Sequence, residues 1–134
     1  MDAPFSVTAS ALVALGGGAG SVLRFQFGRM LTLLLGPQRV TAFPWATLGV
    51  NVLGSLAMGL LAGWLIRLGG GEQWRLLLGV GLLGGFTTFS AFSLEMMLLI
   101  ERGDAALALT YAAVSIFAGL TALYIGLIVA RLAG

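Results

Sequence analysis

The chain contains no cysteine and no histidine. Disulfides, thiolate nucleophiles, imidazole bases and most transition-metal sites are thereby excluded. Charge is scarce as well: seven arginines and five acids make up 9% of the 134 residues, against 59% hydrophobic side chains. A soluble chain this short has too much surface to hide so much apolar side chain, so the solvent that suits it is a bilayer. The net charge is only +2, and the arginines are spread over the connections. A nucleic-acid binder would gather them on one face. Lipid is the expected partner; nucleic acid is not.

Four stretches carry no charge: Phe5–Leu23, Val40–Ile66, Leu76–Leu94 and Ala105–Ala130. Each is long enough to cross a hydrocarbon core of roughly 30 Å. The expectation is an all-α integral membrane protein, one four-helix domain over residues 1–134, with spans at about 5–27, 42–66, 75–100 and 104–131. The first stretch does not read as a cleavable signal peptide. Only Asp2 precedes it and its Gly16-Gly17-Gly18 run sits mid-segment. Its helical pattern continues beyond Arg24 and Arg29 toward Leu35. The connections Gly36–Arg39, Leu68–Arg75 and Glu101–Asp104 are too short for a soluble domain, and no internal repeat is visible. Function must lie among the helices.

Arginine placement bears on orientation. With four spans, Arg67, Arg75 and Arg131 share one side, and Arg24, Arg29, Arg39 and Arg102 the other. The positive-inside rule needs an excess, and this count supplies almost none. Either both orientations insert, so that opposed copies pair about a twofold axis in the membrane plane, or other factors orient a weakly biased chain.

Polar side chains inside a bilayer are the first functional suspects. Apart from Arg24 and Glu95, both near span ends, no span contains an acid or base. A proton-coupled exporter needs a titratable group at mid-depth, and none is there. In the second span Thr47, Asn51 and Ser55 recur every four residues and share a face, which continues as Gly59 and Gly63. In the fourth, Tyr111, Ser115 and Gly119 form a similar row. Membrane hydroxyls often bond back to the preceding turn. Asn51 has two donors and an acceptor to satisfy, so it is either interhelical glue or a pore-facing donor.

The third span carries Gly84-Gly85-Phe86-Thr87-Thr88-Phe89-Ser90-Ala91-Phe92-Ser93. Two glycines followed by two β-branched threonines hold a helix poorly, so a break is expected here. Irregular backbone at this depth survives only when buried in protein or lining a wet cavity, where its carbonyls can ligate sodium. Phe89 and Phe92 share a face. They are either packing residues or edge-on contacts for an anion, since an aromatic ring is positive at its rim. With Asn51, Tyr111 and the Ser and Thr hydroxyls, among them Thr88 and Ser115, they could replace a small anion's water without gripping it as a fixed cation would.

This stretch, continued by Leu94-Glu95, resembles the signature of the CrcB/Fluc family of fluoride channels. Gly17-Gly18-Ala19-Gly20-Ser21 with Arg24-Phe25, and Pro44-Trp45-Ala46-Thr47-Leu48-Gly49-Val50-Asn51 through Gly54 to Gly59, agree with it too. The resemblance implies an antiparallel, dual-topology homodimer with two pores in the cell's inner (plasma) membrane. It also implies a structural sodium ion at the dimer centre, held by the Gly84 and Thr87 carbonyls of each copy. Fluoride would pass Asn51, Thr88, Phe89, Phe92, Tyr111 and Ser115, with Arg24 and Glu95 in the vestibules. Such proteins export fluoride passively, with no coupling residue. Gly119 stands where a hydroxyl can occur, and Ala46 and Ser21 are small-for-small changes.

Three rivals remain to be weighed. A four-helix drug/proton antiporter of the small multidrug resistance type resembles a protein needing a glutamate in its first span, which is absent here. A non-transporting subunit would assemble through Gly16–Gly20 or Gly59–Gly63. An enzyme would need a nucleophile–base pair that is hard to build without His or Cys.

Overall fold

The computed structural model describes residues 6–134; Asp2 and the expected span start at Phe5 lie outside the described residues. Helix α1 (Val7–Leu35) is followed by a short α2 (Pro37–Ala42) and by α3 (Trp45–Leu68). The third span begins with one turn, α4 (Glu72–Trp74), and widens into a π-helical segment (Arg75–Leu83). It returns to α geometry in α5 (Gly84–Phe86) and continues as α6 (Phe89–Glu101). Helix α7 (Ala105–Leu132) completes the chain. Four apolar helical segments of 24 to 30 residues result. At 1.5 Å per residue even 24 residues reach about 36 Å, enough to cross the hydrocarbon core.

Local chemistry accounts for most boundaries. Ser6 caps α1 by accepting the Ala9 amide at 3.3 Å. Helix α1 runs to Leu35, well beyond the span expected to end near residue 27, and stops at Gly36, whose φ of +85° suits only glycine. Pro37 then opens α2, a helix where the sequence suggested only a loop.

The helices associate as two tight pairs, α1 with the π segment and α5, and α3 with α7. Lipid offers little hydrophobic drive between helices, so close backbone approach through small residues must supply it. A Cβ on Gly20 would lie 2.0 Å from the Leu82 carbonyl oxygen, and one on Gly59 would lie 2.1 Å from that of Leu123. Gly16 and Gly63 are blocked in the same way, by Leu77 and Ala130. Both glycine faces are therefore consumed inside the chain. The reading in which they recruit an assembly partner fails for lack of free surface.

Few large side chains are buried; Tyr111 and Val50 are the most enclosed. Leu33, Phe117, Leu120 and Leu132 point outward among many other apolar residues. In a bilayer that exterior is solvated. Helix α6 rests on α7 through Leu99, Ala108 and Tyr111, with Phe43 and Phe92 at the edge.

Between α5 and α6 two residues are extended, Thr87 (φ −86°, ψ 159°) and Thr88 (φ −152°, ψ 127°). Gly84 and Gly85 stay helical, so the irregular backbone falls on the β-branched pair. Gly54 of α3 makes room for it: a Cβ there would meet the Thr87 methyl at 2.2 Å.

Candidate functional site

The extended pair opens onto a groove of about 510 Å³. Asn51, Ser55, Gly84, Thr87, Thr88, Phe89, Phe92 and Ser115 line it, with Gly54, Met58, Ile116 and Leu123. Seven of the ten residues singled out from sequence therefore meet in one place, contributed by α3, α7 and the third span; Tyr111, Arg24 and Glu95 stand outside it.

Asn51 holds the extended backbone. Its Nδ2 donates to the Thr88 carbonyl at 3.0 Å, and its Oδ1 accepts the Thr88 amide at 2.9 Å. A continuous helix would have sent that amide to the Gly84 carbonyl, which loses its helical partner. Asn51 is thus interhelical glue, and its second amide proton is left beside the groove. Thr88 then caps α6, its Oγ1 accepting the Ala91 amide at 3.2 Å. Thr87 donates back to Leu83 at 2.8 Å, and its carbonyl accepts Arg24 Nη1 at 3.3 Å. Arg24 thereby touches the backbone that lines the groove.

The two phenylalanines differ in environment. Their ring centroids are 5.8 Å apart. Phe89 is 79% exposed, whereas Phe92 packs on Tyr111 with centroids 5.0 Å apart. Phe43 meets the same tyrosine edge-on at 5.4 Å.

The span hydroxyls differ in where their protons go. Thr32, Thr41, Thr87, Ser93 and Thr110 each donate to the carbonyl four residues back, at 2.7 to 3.0 Å. Ser115 does not. Its Oγ is buried and has no partner among the described residues. A hydroxyl left unpaired in a groove is costly unless something there accepts its proton. One turn on, a Cβ on Gly119 would make ordinary contact with Ser55 Oγ at 3.5 Å.

Tyr111 is fully buried and does not line the groove. Its hydroxyl donates to Glu95 Oε2 at 2.8 Å, while Thr47 Oγ1 donates to Glu95 Oε1 at 2.6 Å. Three elements, α3, α6 and α7, are tied at one carboxylate. Sequence reasoning had Thr47 on the α3 row and Glu95 near a span end, but not their contact. It missed Gly54 as the seat of Thr87; Gly54 lies three residues from Asn51, one turn along the same helix.

A family model described as CrcB-like protein, Camphor Resistance (CrcB), matches residues 11–127. The fluoride-specific ion channel FluC of Novosphingobium aromaticivorans is 61% identical over 125 residues, covering 93% of this chain and 98% of that protein. The FluC of Erythrobacter litoralis is 55% identical over 122 residues, covering 90% of each. That of Caulobacter sp. strain K31 is 49% identical, covering 90% of this chain and 92% of its own length.

Proposed function

This chain belongs to the CrcB family, and from that membership we propose that it conducts fluoride passively past the Asn51–Phe92 groove, as an antiparallel homodimer. It is a fluoride channel and not an enzyme. With four membrane-crossing helices and bacterial relatives, it is a multi-pass protein of the plasma membrane.

The observation that carries the route is the unpaired Ser115 hydroxyl, buried in the same groove as the Phe89 and Phe92 rings and the spare Asn51 proton. Fluoride is small and strongly hydrated, so it crosses only where other donors replace its water. Ser115 and Asn51 offer O–H and N–H, and the rings offer their positive rims. None is a fixed cation, so the ion is bound weakly enough to leave. The inside-negative potential drives the anion outward without a coupling residue. The groove also explains the need for a second copy: one wall ends in an exposed Phe89. An opposed chain would cover it, in keeping with the balanced arginines.

Sodium fits the same arrangement. Gly84 and Thr87 line the groove, and the Gly84 carbonyl has lost its helical partner to Asn51. Two carbonyls are too few for a hard cation, which takes several oxygens, but a twofold-related copy doubles them. No cluster of three acidic side chains exists among the described residues to serve instead. When bound, sodium would cross-link the two extended segments by charge. Arg24 uses one lone pair of the Thr87 carbonyl and leaves the other.

Purified protein in liposomes is expected to release fluoride and retain chloride; equal rates for both anions, or none for either, would overturn the assignment. Exhaustive removal of sodium is expected to weaken the dimer, measured by subunit exchange between differently labelled copies. Exchange indifferent to sodium would remove the metal from the account.

A further inference from the structure

We propose that Arg102 is a positioning residue for the Phe92 ring, acting through the end of α2, Phe43 and Tyr111. The proposal rests on the conduction route described above, in which Phe92 meets the ion.

Helix α2 has six residues, too few to hold helical shape unaided. Its last carbonyls have no partner within the helix. Two of them are taken by a side chain from the connection that follows the third span. Arg102 donates from Nη1 to the Thr41 carbonyl at 3.1 Å and from Nη2 to the Ala42 carbonyl at 3.0 Å. A cation at a helix C-terminus also suits the local dipole. From Nε it donates to Asp104 Oδ2 at 2.7 Å. Asp104 is the N-cap of α7, yet its side chain makes no cap hydrogen bond. An aspartate there ordinarily accepts an amide of its own helix. Here it is turned to Arg102 instead, across Gly103, whose φ of +91° closes the turn. The rigid fork of the guanidinium thus latches two connections to each other.

What the latch holds is Phe43. It directly follows Ala42 in extended conformation (φ −145°, ψ 141°). Its ring stands edge-on to Tyr111, with centroids 5.4 Å apart, and Phe92 packs on the same tyrosine at 5.0 Å. Tyr111 is therefore gripped between two rings, one set by the latch and one lining the groove. The hydroxyl bond to Glu95 fixes the tip of the tyrosine but not the tilt of its ring. A shift of Phe43 opens space beside Tyr111, and a close-packed cluster passes such a shift on. The rim that Phe92 turns to an anion moves with it.

Arg102→Gln loosens the latch, and Phe43→Leu removes the packing step alone. Phe92 is given a para-fluoro ring by nonsense suppression, so that fluorine NMR in detergent reports its surroundings. Fluoride efflux from vesicles is read beside it. Each variant is expected to move the fluorine signal and to cut efflux about fivefold, the scale of coupling between neighbours in one network. The two changes together should lose no more than the worse of the two, since they break a single chain of contacts. Arg75→Gln removes an arginine paired with Glu72 at the other end of the third span, and should change neither reading. Multiplied losses in the double variant would overturn the proposal, because Arg102 would then act by another way than Phe43. So would an unmoved fluorine signal or undiminished efflux in Arg102→Gln, or an equal loss in Arg75→Gln. If Arg102→Gln does not fold, Asp104→Asn keeps a capping side chain and weakens only the hold on Arg102. A fluorine signal identical to that of the unmutated chain would then refute the latch. Absence of fluoride efflux from the unmutated chain would instead sink the conduction route, while the fluorine signal would still decide the positioning.

Discussion

Fluoride efflux is expected to fall at least about tenfold when either Phe89 or Phe92 is replaced by isoleucine, a change of about 1.4 kcal/mol or more in the barrier. Isoleucine is apolar and fills much of the same space, so the substitution removes the ring's quadrupole more than its volume. Contacts of that quadrupole are worth about 0.5–1.5 kcal/mol between aromatic rings. A bare anion in a low-dielectric groove has more at stake than a neutral ring. The two variants should separate in stability. Phe89 is 79% exposed and meets the chain mainly through the Phe92 ring, so Phe89→Ile should change a lone subunit's stability little. Phe92 rests on Tyr111 beside Leu99 and Ala108, and its replacement should cost up to about 1.5 kcal/mol, as near-isosteric core changes do. A fluoride electrode on vesicle suspensions reads the first effect and thermal unfolding in detergent the second. Normal efflux in both variants would show that the rings only pack.

Asn51→Leu is expected to damage both conduction and stability. The substitution leaves the Thr88 amide and carbonyl without the partners seen at 2.9 and 3.0 Å. An unsatisfied buried backbone group costs about 1–3 kcal/mol, so the pair amounts to about 3 kcal/mol, a large share of a membrane domain's margin. The extended Thr87–Thr88 pair then has less reason to stay extended, and the Gly84 carbonyl can regain its helical bond. Asn51→Asp gives the contrast. It keeps an acceptor for the Thr88 amide, loses the donor, and adds a negative charge beside the anion path. Its efflux should fall much further than its melting temperature. If Asn51→Leu melts where the unmutated chain does, the clamp contributes nothing and the reading of this site is wrong.

The opposing outcomes for similar hydroxyls show where sequence reasoning ends. Thr87, Ser93 and Ser115 are similar in type and all lie within spans. The first two donate to their own helix, and Ser115 donates to nothing. No feature of the chain near Ser115 announces this. Tyr111 is a parallel case. Its place on the α7 row suggested a donor along the path, but its proton belongs to Glu95, sixteen residues away. The π-helical stretch from Arg75 to Leu83 was also invisible, because nothing near Gly81 in the chain shows that α1 is laid against it.

What the chain's composition determined alone was its solvent and its elements. Four long apolar stretches must become helices in lipid, because no water is there to satisfy an exposed backbone, and that holds whatever the neighbours are. Residue spacing likewise placed Thr47, Asn51 and Ser55 on one face, since helical period is local geometry. Tertiary structure decided which atom meets which. Asn51 finds Thr88 across 37 residues, and Glu95 gathers hydroxyls from two other helices. Those pairings depend on how each helix is turned and how closely its glycines let it approach. Such relations arise only between helices, so no single stretch of sequence contains them.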